Sequence, residues 1–212
     1  MSSHYDFLYF DRHGLALTGR TLLSLSGFDW TNTYPKNWNE EEKPKTPFGK
    51  MPVLTETRAD GTKFVLAESN AINRYVARKS SIGLLGSNED EAALIDQYYE
   101  SWGEIVAKGG RTRRLRELEP EKYAEQFEIF KETVANPILI KHEEALIKNG
   151  TGYYVGDKLS LVDVHATCLI TAFGPLLSIE ENYPHLWKLV QNVRSLEAVK
   201  TEVERFSMPS RT

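Results

Sequence analysis

Two short stretches carry residues whose types and spacing point to chemistry. The first, Pro47-Phe48-Gly49-Lys50-Met51-Pro52-Val53-Leu54, reads as a turn running into a strand. The second, Glu68-Ser69-Asn70-Ala71-Ile72-Asn73-Arg74-Tyr75, is a polar pair ahead of helical spacing at Ile72, Tyr75 and Val76. A proline at the first position of a strand has no N–H to lose from a ladder. A strand edge there leaves backbone groups that can pair with an extended, peptide-like ligand. A helix opened by Ser69 as its N-cap offers N–H groups and a hydroxyl to a carboxylate. Side by side, the two describe a seat for a small, extended, anionic peptide.

The elements around these stretches follow from the pattern. Tyr5 to Phe10 reads as a first strand, Leu15 to Leu25 as a helix ending near Gly27, and Trp30 to Tyr34 as a second strand. Pro35 to Thr46 is polar and irregular, with room for a short exposed helix. Thr55 to Arg58 leads into Asp60-Gly61 and Phe64-Val65-Leu66 leads out, which predicts a hairpin. Residues 1–80 therefore form a compact α/β unit with one crossover and one hairpin. Residues 81–88 read as a linker, and after them the strand signals stop. Helical spacing runs through Leu94, Tyr98, Trp102 and Ile105, with Gly109-Gly110 expected to interrupt it. Pro120 suits the first turn of a long helix reaching toward Asn149-Gly150, with Pro137 as a kink. Ser160 and Asp163 have capping-box spacing, with Leu159 and Val164 as a hydrophobic staple. The helix they start is apolar almost all round, and two more follow it. Residues 89–212 thus read as an all-helical domain.

Composition narrows the function. With 41% hydrophobic and 26% charged residues the chain has an ordinary globular balance, and a net charge of −4 argues against nucleic acid as a main partner. No apolar run approaches the roughly 20 residues of a membrane helix. The N-terminus lacks a basic region followed by an apolar one, so a cytoplasmic protein is expected. Cys168 is the sole cysteine, which excludes an internal disulfide and a multi-cysteine zinc site. It and His165 fall in the most apolar helix and read as core. No metal is expected.

Taken in order, the Leu8-Tyr9-Phe10 strand end with Gly14, the Pro47–Leu54 block, Glu68-Ser69 and the capping-box segment at 153–163 resemble the cytosolic glutathione transferase superfamily. The resemblance spans essentially the whole chain and is closest to the tyrosine-type sigma class. It implies a thioredoxin-like N-terminal domain with a mixed four-stranded sheet, an all-α C-terminal domain, and glutathione as co-substrate. A free cysteine thiol titrates near 8.5, and only its thiolate is a good nucleophile. The resemblance makes Tyr9 the catalytic residue, its hydroxyl donating a hydrogen bond to the sulfur. By itself Tyr9 reads equally well as one of 19 tyrosines and phenylalanines packing a core.

The same resemblance assigns glutathione contacts to Trp38, Lys43, Lys50, Met51, Pro52, Glu68 and Ser69, with Met51 pairing through its backbone and Pro52 in cis. Glu104, supplied by the partner subunit of a homodimer, would meet the γ-glutamyl amine, and Phe48 would project into that partner. Small hydrophobic electrophiles would lie against His13, Leu15, Tyr99, Trp102, Ile105 and Phe206. Two positions depart from the pattern. Relatives carry a basic residue just after the first-turn glycine and an acid two further on, where this chain has Leu15 and Leu17. Arg12 or His13 would have to supply the cation near the sulfur, although His13 reads more simply as an exposed turn residue. Arg111 to Arg116 read as a solvated face. The alternatives are a non-catalytic relative such as the amino-terminal region of elongation factor 1 gamma, a carrier of apolar ligands, or a glutathione-dependent isomerase or peroxidase.

Overall fold

The computed structural model describes residues 3–206, apart from the side chains of residues 173–175. They divide into two compact units. One comprises the residues up to Leu84 together with those from Arg194 onward; the other runs from Leu85 to Val193.

The first unit is built on a four-stranded sheet in the order β2-β1-β3-β4. Its strands are β1 (His4–Leu8), β2 (Asp29–Thr33), β3 (Val53–Thr57) and β4 (Lys63–Ala67). Strand β1 pairs parallel with β2 and antiparallel with β3, and β3 pairs antiparallel with β4. The parallel pair needs a crossover, supplied by α1 (Leu17–Leu25) after a single 3-10 turn at Gly14–Ala16. Alternation along β1 buries Tyr5 and Phe7. Helix α1 lies against that face so closely that a β-carbon on Gly19 would stand 2.6 Å from the Phe7 ring. The antiparallel pair is closed by the expected hairpin, with the Arg58 N–H donating to the Thr62 carbonyl at 2.9 Å and Gly61 at φ +82°. Helix α2 (Ser69–Lys79) follows β4 directly. The irregular stretch before β3 holds a wide π-helical turn at Trp38–Glu42 and a 3-10 turn at Lys43–Lys45.

Glu56 on β3 is 1% exposed and lies opposite Tyr5 in the register. It accepts hydrogen bonds from the Tyr75 hydroxyl at 2.5 Å, Lys79 Nζ at 2.9 Å and the Tyr5 hydroxyl at 3.3 Å. Burial alone would raise its pKa. The bonds from Tyr75 and Lys79 outweigh burial and hold the carboxyl at about 2.

The second unit is helical: α3 (Glu89–Ser101), α4 (Gly103–Leu118), α5 (Pro120–Phe130), α6 (Asn136–Asn149), α7 (Leu161–Leu177), the short α8 (Ile179–Asn182) and α9 (Pro184–Arg194), which carries the chain back to the first unit. The break expected at Gly109-Gly110 does not occur, and α4 runs straight through it. The glycines serve packing instead, since a β-carbon on Gly109 would come within 3.0 Å of the Phe130 ring. The interruption falls at Trp102, between α3 and α4. Ahead of Pro137 the helix widens into a π-helical turn at Lys131–Ala135, as suits a residue that cannot donate to the turn before it. The capping box forms as read: Asp163 accepts from the Ser160 N–H at 2.7 Å and its hydroxyl at 2.6 Å, and from the Tyr154 N–H at 2.9 Å. Buried Glu143 performs a similar service for α9, accepting from the His185 and Leu186 N–H groups at 2.9 Å each.

After α9, α10 (Glu197–Glu204) packs on α1 within the first unit, although it follows the helical region in sequence. Ser24 donates to Glu202 at 2.8 Å, and Arg205 forks onto the same carboxylate with two bonds of 2.7 Å.

The Glu56 cluster generates a pH prediction. A carboxyl whose folded pKa lies near 2, below its ordinary 4.5, adds stability that is full above pH 4.5 and lost as pH falls toward 2. Glu56→Gln is expected to lower stability at pH 7 by roughly 2–3 kcal/mol and to flatten the acid limb in that window. Urea titrations at a series of pH values measure both.

Candidate active site

The register brings three of the singled-out segments to one end of the sheet. Leu8 pairs with Val53 on one side and Thr33 on the other, and Val53 pairs with Ala67. Tyr9, Pro52 and Glu68 therefore sit one step beyond the same row on three adjacent strands, with Met51 one step further. Neighbouring strands lie about 4.8 Å apart, so the row spans about 10 Å, the length of an extended tripeptide.

At one end of the row Tyr9 is buried, and its N–H donates to the Thr33 carbonyl at 3.1 Å. Its hydroxyl accepts the Leu15 N–H at 3.2 Å. An acceptor bond of this kind leaves the hydroxyl proton to be donated elsewhere. Gly14 makes the approach possible. It sits at φ +46°, and a β-carbon there would lie 2.6 Å from the Tyr9 hydroxyl. Leu15, next in the chain, is 45% exposed beside that hydroxyl.

In the middle of the row the Met51–Pro52 bond is cis, as the resemblance implied. Pro52 is buried, while Met51 is half-buried and lies ahead of the β3 ladder. At the far end the structure differs from the reading of Ser69 as N-cap. Ser69 is the first residue of α2, and Glu68 occupies the cap position with φ +68° and ψ 116°. A non-glycine residue held there is strained, and such strain persists where surrounding structure over-determines it. The first intrahelical bond of α2 runs from the Ile72 N–H to the Glu68 carbonyl at 2.9 Å. The positive end of the α2 dipole lies at this turn and favours a negative charge.

The remaining expected contacts are spread around this row. Trp38 is half-exposed and meets the Phe10 ring edge-on at 6.2 Å, and Phe10 in turn lies 5.6 Å from Tyr9. Lys43 and Lys50 are exposed, with the Lys43 stem running beside Gly49. Glu104 is exposed on α4, where it pairs with Lys108 at 2.6 Å.

The residues assigned to the co-substrate fall differently. His13 is not an exposed turn residue: it is buried, edge-on to Phe206 at 5.3 Å, with Nε2 3.1 Å from the Phe206 carbonyl. Burial lowers its pKa, so it is neutral at pH 7 and supplies no cation. Phe206 is taken up by that contact. Tyr99, Trp102 and Ile105 are each 1% exposed and belong to the core of the helical unit. Tyr99 stacks on His165 at 4.1 Å, and Trp102 on His142 at 4.2 Å. Their helical spacing was a core stripe, so they present no open wall to a ligand.

Arg20 was passed over in the sequence. It is 0% exposed, donating from Nη1 to the Arg12 carbonyl at 2.7 Å and from Nη2 to the Phe10 carbonyl at 3.1 Å. These bonds pin the turn that carries Gly14 and Leu15. The available signal was a single charged residue inside the otherwise uncharged Leu15–Leu25 segment.

Among the described residues no group of three or more His, Cys, Asp and Glu side chains is placed to hold a metal ion, and no helix is long and apolar enough to cross a membrane. Family models described as the N-terminal and C-terminal domains of glutathione S-transferase match residues 7–78 and 113–201. Glutathione S-transferase 1 of Ascaris suum is 30% identical over 203 residues, covering 92% of this chain and 93% of that protein. The crystal structure of the Ascaris lumbricoides glutathione S-transferase is 30% identical with a TM-score of 0.78, covering 98% and 100% of the two chains. A sigma class enzyme of Fasciola hepatica has a TM-score of 0.84 at 22% identity over 98% and 99%, a likeness of fold. Na-GST-3 of Necator americanus, described as monomeric, has a TM-score of 0.72 at 27% identity over 99% and 100%. With both domain models matched in order and relatives aligned along almost its full length, the chain belongs to the glutathione S-transferase family.

Proposed function

We propose that the protein transfers glutathione to electrophilic carbon centres of small hydrophobic compounds, with Tyr9 holding the sulfur as its thiolate. One observation carries this reading: the Tyr9 hydroxyl accepts the Leu15 N–H and keeps its proton for a ligand at the row shared with cis-Pro52 and Glu68. The tripeptide lies along that row. Met51 pairs with its cysteinyl backbone, the first turn of α2 with Ser69 receives the γ-glutamyl carboxylate, and Glu68 accepts from the ammonium. Trp38, Lys43 and Lys50 serve the glycine end. The thiol proton leaves to water, and the Tyr9 hydroxyl donates to the anion that remains. Lowering the thiol pKa by about 2 corresponds to about 2.7 kcal/mol of preference for the thiolate. The sulfur then forms a bond to the electrophilic carbon as the leaving group departs with its electron pair. Exposed Leu15, beside the hydroxyl, provides apolar surface for the electrophile.

The protein works in the cytoplasm as a homodimer, in which Phe48, 66% exposed here, enters the partner and Glu104 reaches the partner's γ-glutamyl amine. A particle of twice 24.2 kDa at micromolar concentration is expected in sedimentation, and a single chain's mass would refute this arrangement.

Two substitutions test the mechanism with glutathione and an aryl halide. Tyr9→Phe is expected to lower kcat/KM by ten- to a hundredfold near pH 6.5, keep the glutathione Kd within about threefold, and lose most of its deficit at alkaline pH. Unchanged activity would remove Tyr9 from this role. Gly14→Ala, whose methyl group would occupy the place of the Tyr9 hydroxyl, is expected to reduce activity by more than tenfold while the far-ultraviolet circular dichroism stays unchanged.

A further inference from the structure

A buried cation with no ion-paired carboxylate among the described residues lies behind the Tyr9 ring. The Arg20 guanidinium carbon is 5.7 Å from the Tyr9 ring centroid, 4.9 Å from that of Phe206 and 5.9 Å from that of Phe7. Its two hydrogen-bond acceptors are neutral carbonyls, those of Phe10 and Arg12, and its Nε is buried with no partner among the described residues. No described carboxylate stands within ion-pairing distance of it. Leu17, one turn earlier on α1 and at the spacing where an acid would pair with it, is a buried apolar side chain. Of the other charged or titratable groups around it, Glu202 on α10 acts on it through space, while accepting hydrogen bonds from Arg205 and Ser24. Arg12 is exposed over the Phe10 ring, His13 is neutral, and Tyr34 and Tyr9 are hydroxyls.

Arginine stays protonated even when buried, so the full charge persists. A buried charge is normally neutralised by a partner, and an unneutralised one beside a reactive group projects its potential onto that group. We propose that Arg20 is a second electrostatic element of glutathione activation, a positioning residue whose unpaired charge, acting from behind Tyr9, favours the thiolate at the hydroxyl. It takes the part left open at Leu15 and is not supplied by Arg12 or His13. This inference rests on the reading of Tyr9 given above. At an effective dielectric of about 20, a unit charge about 12 Å from a thiolate lowers its pKa by about one pH unit.

The experiment follows the thiolate absorbance of enzyme-bound glutathione against pH, together with the pH profile of kcat/KM. Arg20→Met, which removes the charge but keeps the stem, is expected to raise the bound-thiol pKa by about one unit and cut kcat/KM about tenfold at pH 6.5. The deficit should close at alkaline pH, and Arg20→Lys should return the pKa most of the way. Leu17→Glu leaves both carbonyl bonds of Arg20 in place and offers its charge a partner, so it is also expected to raise the pKa. That variant decides the matter if Arg20→Met does not fold. Inflections unmoved in Arg20→Met and Leu17→Glu, with activity lost evenly at every pH, would overturn the proposal and leave Arg20 as support for the turn. Tyr9→Phe, titrated alongside, separates the two failures. A pKa that Tyr9→Phe leaves in place refutes the tyrosine reading whatever Arg20 does, and a wild-type pKa no lower than that of free glutathione refutes both.

Discussion

The turn between β1 and α1 depends on a guanidinium that has no contact with water. Arg20 binds the carbonyls of Phe10 and Arg12 and so pulls the chain after β1 back toward α1. Gly14, at φ +46°, completes the turn, and the amide of Leu15 comes to rest on the Tyr9 hydroxyl. Each step is short-range, yet each needs the one before it. A side chain at Gly14 would occupy the hydroxyl's place, and without the bond from Leu15 the phenol would lose the partner that orients its proton. The rest of the first unit supports this turn from behind, with Phe7 against Gly19 on one side and Phe206 against Arg20 on another.

The second constraint is sheet register. One row of paired residues, Thr33, Leu8, Val53 and Ala67, ends all four strands at the same level. Whatever follows or precedes that row is presented together: Tyr9, Met51-Pro52 and Glu68. A slip of one residue in β3 would turn Leu54 and Glu56 out of the core and carry Pro52 away from its neighbours. The buried Glu56 cluster at the opposite end of the sheet opposes such a slip, because its carboxylate finds Tyr5, Tyr75 and Lys79 only in this register.

The helical unit is stabilised by polar side chains that reach across sequence to satisfy helix starts. Asp163 does so locally, within its capping box, and Glu143 does so over more than forty residues. The aromatic residues between these caps, Tyr99 on His165 and Trp102 on His142, are enclosed by the packing of α3, α6 and α7. Burial pushes the His142 imidazole down to about 3, so it stays neutral throughout the physiological range.

Local pattern was enough for much of this. Strand alternation in Tyr5 to Tyr9, the Asp60-Gly61 turn, the capping box and the helical period after residue 89 are each set by interactions within a few residues, and the segments that meet at the end of the sheet were legible for the same reason. Distinctions that need a neighbour from elsewhere in the chain were not. Helical spacing at Tyr99, Trp102 and Ile105 marks an apolar face and leaves open whether protein or ligand covers it; packing decided for protein. Gly109-Gly110 looked like a break until Phe130 supplied the reason for small residues there. His13 lost its exposure to Phe206, and Ser69 yielded the cap position to Glu68, which takes φ +68° where β4 passes directly into α2. By itself the sequence determined the segments that meet at one end of the sheet, around Tyr9, Met51-Pro52 and Glu68-Ser69, since each is contiguous and set by its own neighbours. Only the tertiary structure decided which cation stands behind the Tyr9 ring, because Arg20 reaches it through the fold of a turn and the closure of a distant helix.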